Sequence, residues 1–231
     1  MKKITILILF IASTIVSQTN TEVFLFDIKK TETGYELSNK KNISTNEGYD
    51  SQPHFYDNYA LLFASSRNGQ TDIVKYTIDT GIKEFINYSP EGGEYSPQRI
   101  PGTDDISAVR LDNTGLQRFY RYDINTGNSK EIIRNLEVAY PLWASNKLLF
   151  SAIIGEKSLE LVKSDLKNKT NVLLEKKIGR SLHCIPGTNS ISFISKKKPQ
   201  WEIFSIDITT LTINKITNLD GNYEDIAWIS K

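Results

Sequence analysis

Beyond its first apolar stretch the chain alternates between short runs of β-branched, aromatic and aliphatic residues and polar turn signals arriving every 8–12 residues. No window there sustains the i, i+3, i+4, i+7 apolar stripe of an amphipathic helix, so the pattern predicts an all-β protein. The clearest unit runs from Pro53. Pro53-His54-Phe55-Tyr56 reads as a first strand, Asp57-Asn58 as a turn, and Ala60–Ala64 as a second strand. Arg67-Asn68-Gly69 is a tight hairpin, since Asn-Gly takes positive φ readily. Asp72–Ile78 follows as a third strand, Asp79-Thr80-Gly81 as a turn, and Lys83–Ile86 as a fourth.

This unit recurs about every 43 residues. Ile100-Pro101-Gly102-Thr103 returns 85 positions later as Ile185-Pro186-Gly187-Thr188, and each copy leads into a strand-like run. Tyr76–Gly81 is echoed by Tyr122–Gly127, and Asp123, Asp165 and Asp207 stand 42 apart before turns. Phe55, Ile100, Trp143, Ile185 and Trp228 align at spacings of 45, 43, 42 and 43. Four strands per unit of this length is the size of a β-propeller blade, whose strands are apolar on both faces because neighbouring blades cover both. A two-sheet sandwich has no reason to repeat the same turn at so even an interval.

Phe63-Ala64-Ser65-Ser66-Arg67-Asn68-Gly69-Gln70-Thr71-Asp72-Ile73-Val74 resembles the central hairpin of the TolB-type propeller repeat. That repeat reads aromatic, small, Ser-x-Arg-Asp/Asn-Gly, then Asp/Glu-Ile-Tyr/Val. Later copies lose the motif, as in Val109–Asn113 and Ile194–Lys198, whereas Pro53-His54-Phe55 and Pro141-Leu142-Trp143 keep its opening. Over residues 22–231 the chain is similar to exported TolB-like translocation proteins. The resemblance implies six blades, a periplasmic or secreted address and a role in binding an envelope or periplasmic protein. Blades are expected at about 46–89, 90–135, 136–177 and 178–220, with outer-strand material at Glu22–Thr45 and one inner strand at Ile226–Ile229. Measured against six blades, the chain is expected to be a fragment short of one and a half blades, roughly 60 residues by the repeat length. The alternative is an irregular five-bladed ring closed by Ile226–Ile229 on the N-terminal strands.

The start of the chain adds an address. Met1-Lys2-Lys3, an apolar run from Ile4 to Val16 and the polar Ser17-Gln18 predict a signal peptide over residues 1–17. A run of 13 apolar residues is shorter than the roughly 20 needed to span a bilayer, so no membrane insertion is expected after cleavage. Across the chain, 28 Lys and Arg face 27 Asp and Glu, which gives no global basic footprint for nucleic acid. One cysteine, Cys184, excludes an intramolecular disulfide, and two histidines leave little for a metal centre. No cofactor is implied.

Catalytic templates are absent. The chain has no Gly-x-Ser-x-Gly elbow, no His-Glu-x-x-His, no Walker loop and no EF-hand loop, so no catalytic residue is assigned. His54 and His183 fall on innermost strands, as does Arg99, and the three are expected to share a central channel. Tyr49, Tyr95 and Tyr223 stand beside Asp50, Glu94 and Glu224-Asp225 where blades join, and are expected on one rim, a setting that suits recognition. Cys184 is expected as a small buried hydrophobe, and Lys196-Lys197-Lys198 as a solvated hairpin tip. The expected function is a non-enzymatic binding module for an envelope protein, with a polysaccharide or peptide as another ligand. The rival is a propeller hydrolase or lyase working from the channel.

Overall fold

The computed structural model describes residues 20–89 and 92–229, so the predicted signal segment lies outside the described residues. A hairpin comes first, β1 (Phe24–Lys30) against β2 (Tyr35–Asn42). Four antiparallel four-stranded sheets follow. The first holds β3 (Asp50–Phe55), β4 (Ala60–Arg67), β5 (Gln70–Thr77) and β6 (Lys83–Phe85). The second holds β7 (Gly92–Arg99), β8 (Ile106–Asp112), β9 (Gln117–Tyr122) and β10 (Ser129–Ile133). β11 (Val138–Ser145), β12 (Leu148–Ile154), β13 (Leu159–Asp165) and β14 (Thr170–Lys176) make the third. β15 (Ile178–Cys184), β16 (Ser190–Ser195), β17 (Glu202–Asp207) and β18 (Ile213–Asn218) make the fourth. Within each sheet the strands pair in sequence order, so every connection is a short hairpin.

The core is not one mass but a series of seams between sheets. Leu62 and Ile73 pack on Ile106, Ala108 and Tyr122 between the first and second sheets. Val109 and Phe119 meet Val138, Trp143 and Leu149 between the second and third, and Phe150 and Leu161 meet Ile178, Ile191 and Phe193 between the third and fourth. Val23 and Ile43 of the hairpin region cover Leu61, Phe63 and Val74 of the first. A sheet buried on both faces needs apolar residues at consecutive positions, and β4 is buried from Ala60 to Ser66 without alternation. Blades stacked face to face in this way form a β-propeller.

The repeated turns have local causes. In Ile100-Pro101-Gly102-Thr103, proline presets φ and Gly102 stands at φ +71°, as a type II turn requires. The amide and hydroxyl of Thr103 both donate to the Ile100 carbonyl, at 3.2 and 3.0 Å. Thr188 repeats both bonds on Ile185, at 3.2 and 2.9 Å. Asp123, Asp165 and Asp207 are turn formers, each accepting two backbone amides two and three residues ahead. These amide bonds hold their carboxyls below the usual range.

Ile226–Ile229, expected as an inner strand, forms no ladder among the described residues. A strand needs a hydrogen-bonded neighbour, and this segment is fastened by side chains instead. Ser181 Oγ donates to the Ile226 carbonyl at 2.9 Å and accepts from its amide at 3.2 Å.

Candidate functional site

The first strands β3, β7, β11 and β15 face one another across a central cavity of about 600 Å³, with Asp225, Ile226 and Ala227 completing its wall. A second cavity of about 300 Å³ lies at the other end of the same strands. Five residues line both: His54, Gln98, Leu142, His183 and Ala227. They stand 44, 44, 41 and 44 apart, one from each inner segment, and form a waist between two chambers of one channel. This register corrects the expected alignment. The structural equivalents of Trp143 and Trp228 are Phe55, Arg99 and Cys184, and Ile100 and Ile185 lie one position beyond. The two registers are easily confused, because apolar Ile imitates the apolar aromatic of the other blades.

His54, Arg99 and His183 do share a cavity, the lower chamber, with Trp143, Cys184 and Trp228. Arg99 is not free there: it pairs with Asp104 at 2.8 Å and lies 4.4 Å over the Tyr56 ring. Burial lowers the His54 and His183 pKa values, and His183 lowers that of His54 further. His183 Nε2 is 3.2 Å from Ser181 Oγ. Among the described residues nothing hydrogen-bonds the His54 imidazole. Cys184 is exposed in the chamber rather than buried, because its register position points into the channel.

Toward the other end, Tyr49 and Tyr95 meet edge to face with centroids 5.9 Å apart. Tyr49 reaches the upper chamber, as do Tyr140 and Arg180, which no motif in the sequence marks. The register of the five waist residues does not mark them either, since it sets Arg180 in step with Tyr95, which lies outside the lining. Arg180 is clamped by both carboxylate oxygens of Asp225, its Nε donating at 2.8 Å. Tyr223 is 63% exposed; it lies against Gly221 and outside the chamber lining.

Two of the acidic residues beside these tyrosines do not join the rim, whereas Asp225 lines the chamber. Asp50 and Glu94 are buried. Glu94 accepts from Tyr122 Oη and Asn87 Nδ2, both at 2.8 Å, and Asn87 also donates to the buried Asp72. Burial raises the pKa of Glu94 and of Asp72. Lys196-Lys197-Lys198 stands at the loop between β16 and β17, with Lys197 and Lys198 exposed as expected of a solvated tip, and the three pair there with Glu224, Glu175 and Glu202. Among the described residues no group of three or more His, Cys, Asp or Glu is placed to hold a metal ion.

Comparison with known proteins sets this geometry in context. No family model matches the chain, and no curated protein does. Solved structures do. TolB from Acinetobacter baumannii aligns at a TM-score of 0.67 and 14% identity, over 85% of this chain and 52% of that one. A puromycin hydrolase S511A mutant complexed with PGG aligns at 0.62 and 12%, over 86% and 36%. An oligogalacturonate lyase in complex with manganese aligns at 0.59 and 12%, over 88% and 75%. The likeness is one of fold. The chain thus has a distant TolB-like propeller fold and spans about half of the TolB structure.

Proposed function

We propose that this protein is an exported, periplasmic or secreted binding module that recognises an envelope component at the tyrosine-lined mouth of its channel. The observation that carries the reading is the upper chamber itself. It is a concave site of about 600 Å³ walled by Tyr49, Tyr140, three prolines and two histidines, within the size and composition usual for ligand sites. Among the described residues the only carboxylate in its lining, Asp225, is held by Arg180 and is not free for proton transfer. The TolB likeness supports binding. The lyase likeness, together with the two channel histidines, supports the rival reading of an enzyme.

Affinity capture from native cell-envelope extract tests the proposal. The wild-type chain is expected to retain one stoichiometric component, and Tyr49→Ala with Tyr95→Ala to lose it. Release of small products from envelope glycans or peptides, abolished by His54→Ala or His183→Ala with the fold intact, would favour the enzyme.

A further inference from the structure

The two-chamber channel has a chemistry of its own, which narrows the ligand class if the binding reading above holds. Each of the two arginines in its lining is already paired: Arg180 with Asp225, and Arg99 with Asp104. A ligand carrying net charge would meet arginines whose charge is already balanced by a carboxylate, which reduces what it gains from either. Burial keeps both waist imidazoles in the uncharged form at neutral pH. A neutral imidazole offers one donor and one acceptor. A hydroxyl group, which does both, can satisfy either face whichever tautomer is present.

The walls argue against an extended peptide. Pro53, Pro97 and Pro141 occupy one register position on β3, β7 and β11, with Leu182 and Ile226 completing the row. Proline has no N–H, so three of the four inner strands lack a backbone donor there. Recognition by strand addition relies on such donors. What the walls do offer is flat ring surface, from the prolines and from Tyr49 and Tyr140.

We propose that the channel binds an uncharged saccharide, its hydroxyls gripped at the waist by His54 and His183 and its ring faces against Tyr49 and Tyr140. The chambers, about 600 and 300 Å³, lie in the range of small-ligand sites.

His54 and His183 are the only histidines in the chain, so their ring proton resonances report the waist without labelling ambiguity. The full chain is titrated at pH 7.5 with cellotriose, maltotriose, tri-N-acetylchitotriose, trigalacturonate and a blocked neutral Ala-Pro-Ala peptide. At least one uncharged trisaccharide is expected to shift both resonances saturably. Trigalacturonate and the peptide are expected to bind at least tenfold more weakly. His183→Gln, read on the remaining His54 signal, is expected to weaken binding tenfold or more, and Tyr140→Leu to do so with both histidines in place. Unchanged thermal melting shows that each variant is folded. No shift with any uncharged trisaccharide, or equal binding of trigalacturonate or the peptide, overturns the proposal. If the sugars fail while envelope capture still depends on Tyr49 and Tyr95, the saccharide inference falls and the binding module stands. Failure of capture as well removes both.

Discussion

The Trp228 indole donates its N–H to the hydroxyl of Ser192 at 2.7 Å, and the bond reproduces, 85 residues on, one from Trp143 to Ser107 at 2.8 Å. In each case the serine hydroxyl passes its own proton to the carbonyl of a waist residue, Gln98 or His183, at 3.3 or 3.4 Å. An aromatic from one inner segment is thereby fastened to the second strand of the preceding blade, directly behind the channel lining. The Ile-Pro-Gly-Thr turns share the same 85-residue period.

Trp143→Phe keeps an aromatic ring and removes the donor. It is expected to cost about 1–2 kcal/mol, the scale of one buried hydrogen bond. Ser107→Ala should cost a similar amount, and the double variant less than their sum, because each single change already breaks the bond. Urea denaturation of the four proteins measures the coupling. Strict additivity would show that the bond contributes nothing.

Glu94, Tyr122, Asn87 and Asp72 form a second seam element, buried between the first two sheets. Tyr122→Phe leaves Glu94 its bond to Asn87, and should destabilise by about 1–2 kcal/mol. Glu94→Ala strands both the Tyr122 hydroxyl and one bond of the Asn87 amide, and should cost about 2–4 kcal/mol. An equal effect of the two variants on the denaturation midpoint would contradict this ordering.

Fold type was legible because a blade repeats its own constraints. Proline and glycine mark each turn of the Ile-Pro-Gly-Thr kind, and burial on both faces writes continuous apolar runs such as Leu61-Leu62-Phe63. The site was legible in part: inner-strand polar residues His54, Arg99 and His183 stand out against apolar neighbours. Tyr140 and Arg180 did not, since neither motif nor composition separates a channel-facing tyrosine from one on a seam. The exposure of Cys184, expected to be buried, has the same origin. Which side of an inner strand a residue occupies depends on the irregular registers of β3, β7, β11 and β15, and a bulge leaves no spacing signal of its own.

The waist histidines give the stability a defined pH response. Both have native pKa values below the ordinary 6.5. The unfolded chain therefore binds more protons than the native one as pH falls below about 6.5, and the stability the neutral rings contribute is lost progressively toward their native pKa values. Glu94 and Asp72, raised by burial, act in the opposite sense: stability they contribute when protonated is lost as pH rises from the carboxylate range. Denaturation midpoints measured from pH 5 to 7.5 in His54→Gln/His183→Gln should show a shallower loss on acidification than wild type. The same slope in both proteins would mean that the imidazoles are solvated and unperturbed.

Cys184 supplies a chemical reporter of the lower chamber. Its side chain is exposed, with the sulfur 3.9 Å from the Trp143 carbonyl, and burial of its surroundings raises the thiol pKa. The thiolate is the reactive form, so accessibility and reactivity separate here. A small maleimide should label the native protein to completion, but more slowly at pH 7.5 than it labels the urea-unfolded chain, and the difference should narrow as pH rises toward and beyond 9. Because His54, Arg99, His183 and Trp228 line the same space, the adduct should also perturb both histidine resonances. His183→Gln should leave the labelling rate within about twofold, since burial and not the imidazole sets the thiol pKa. Mass spectrometry of timed aliquots reads the rate. A native rate equal to the unfolded rate would place the sulfur in open solvent, and complete protection would place it in the blade seam, either of which contradicts a channel-lining thiol.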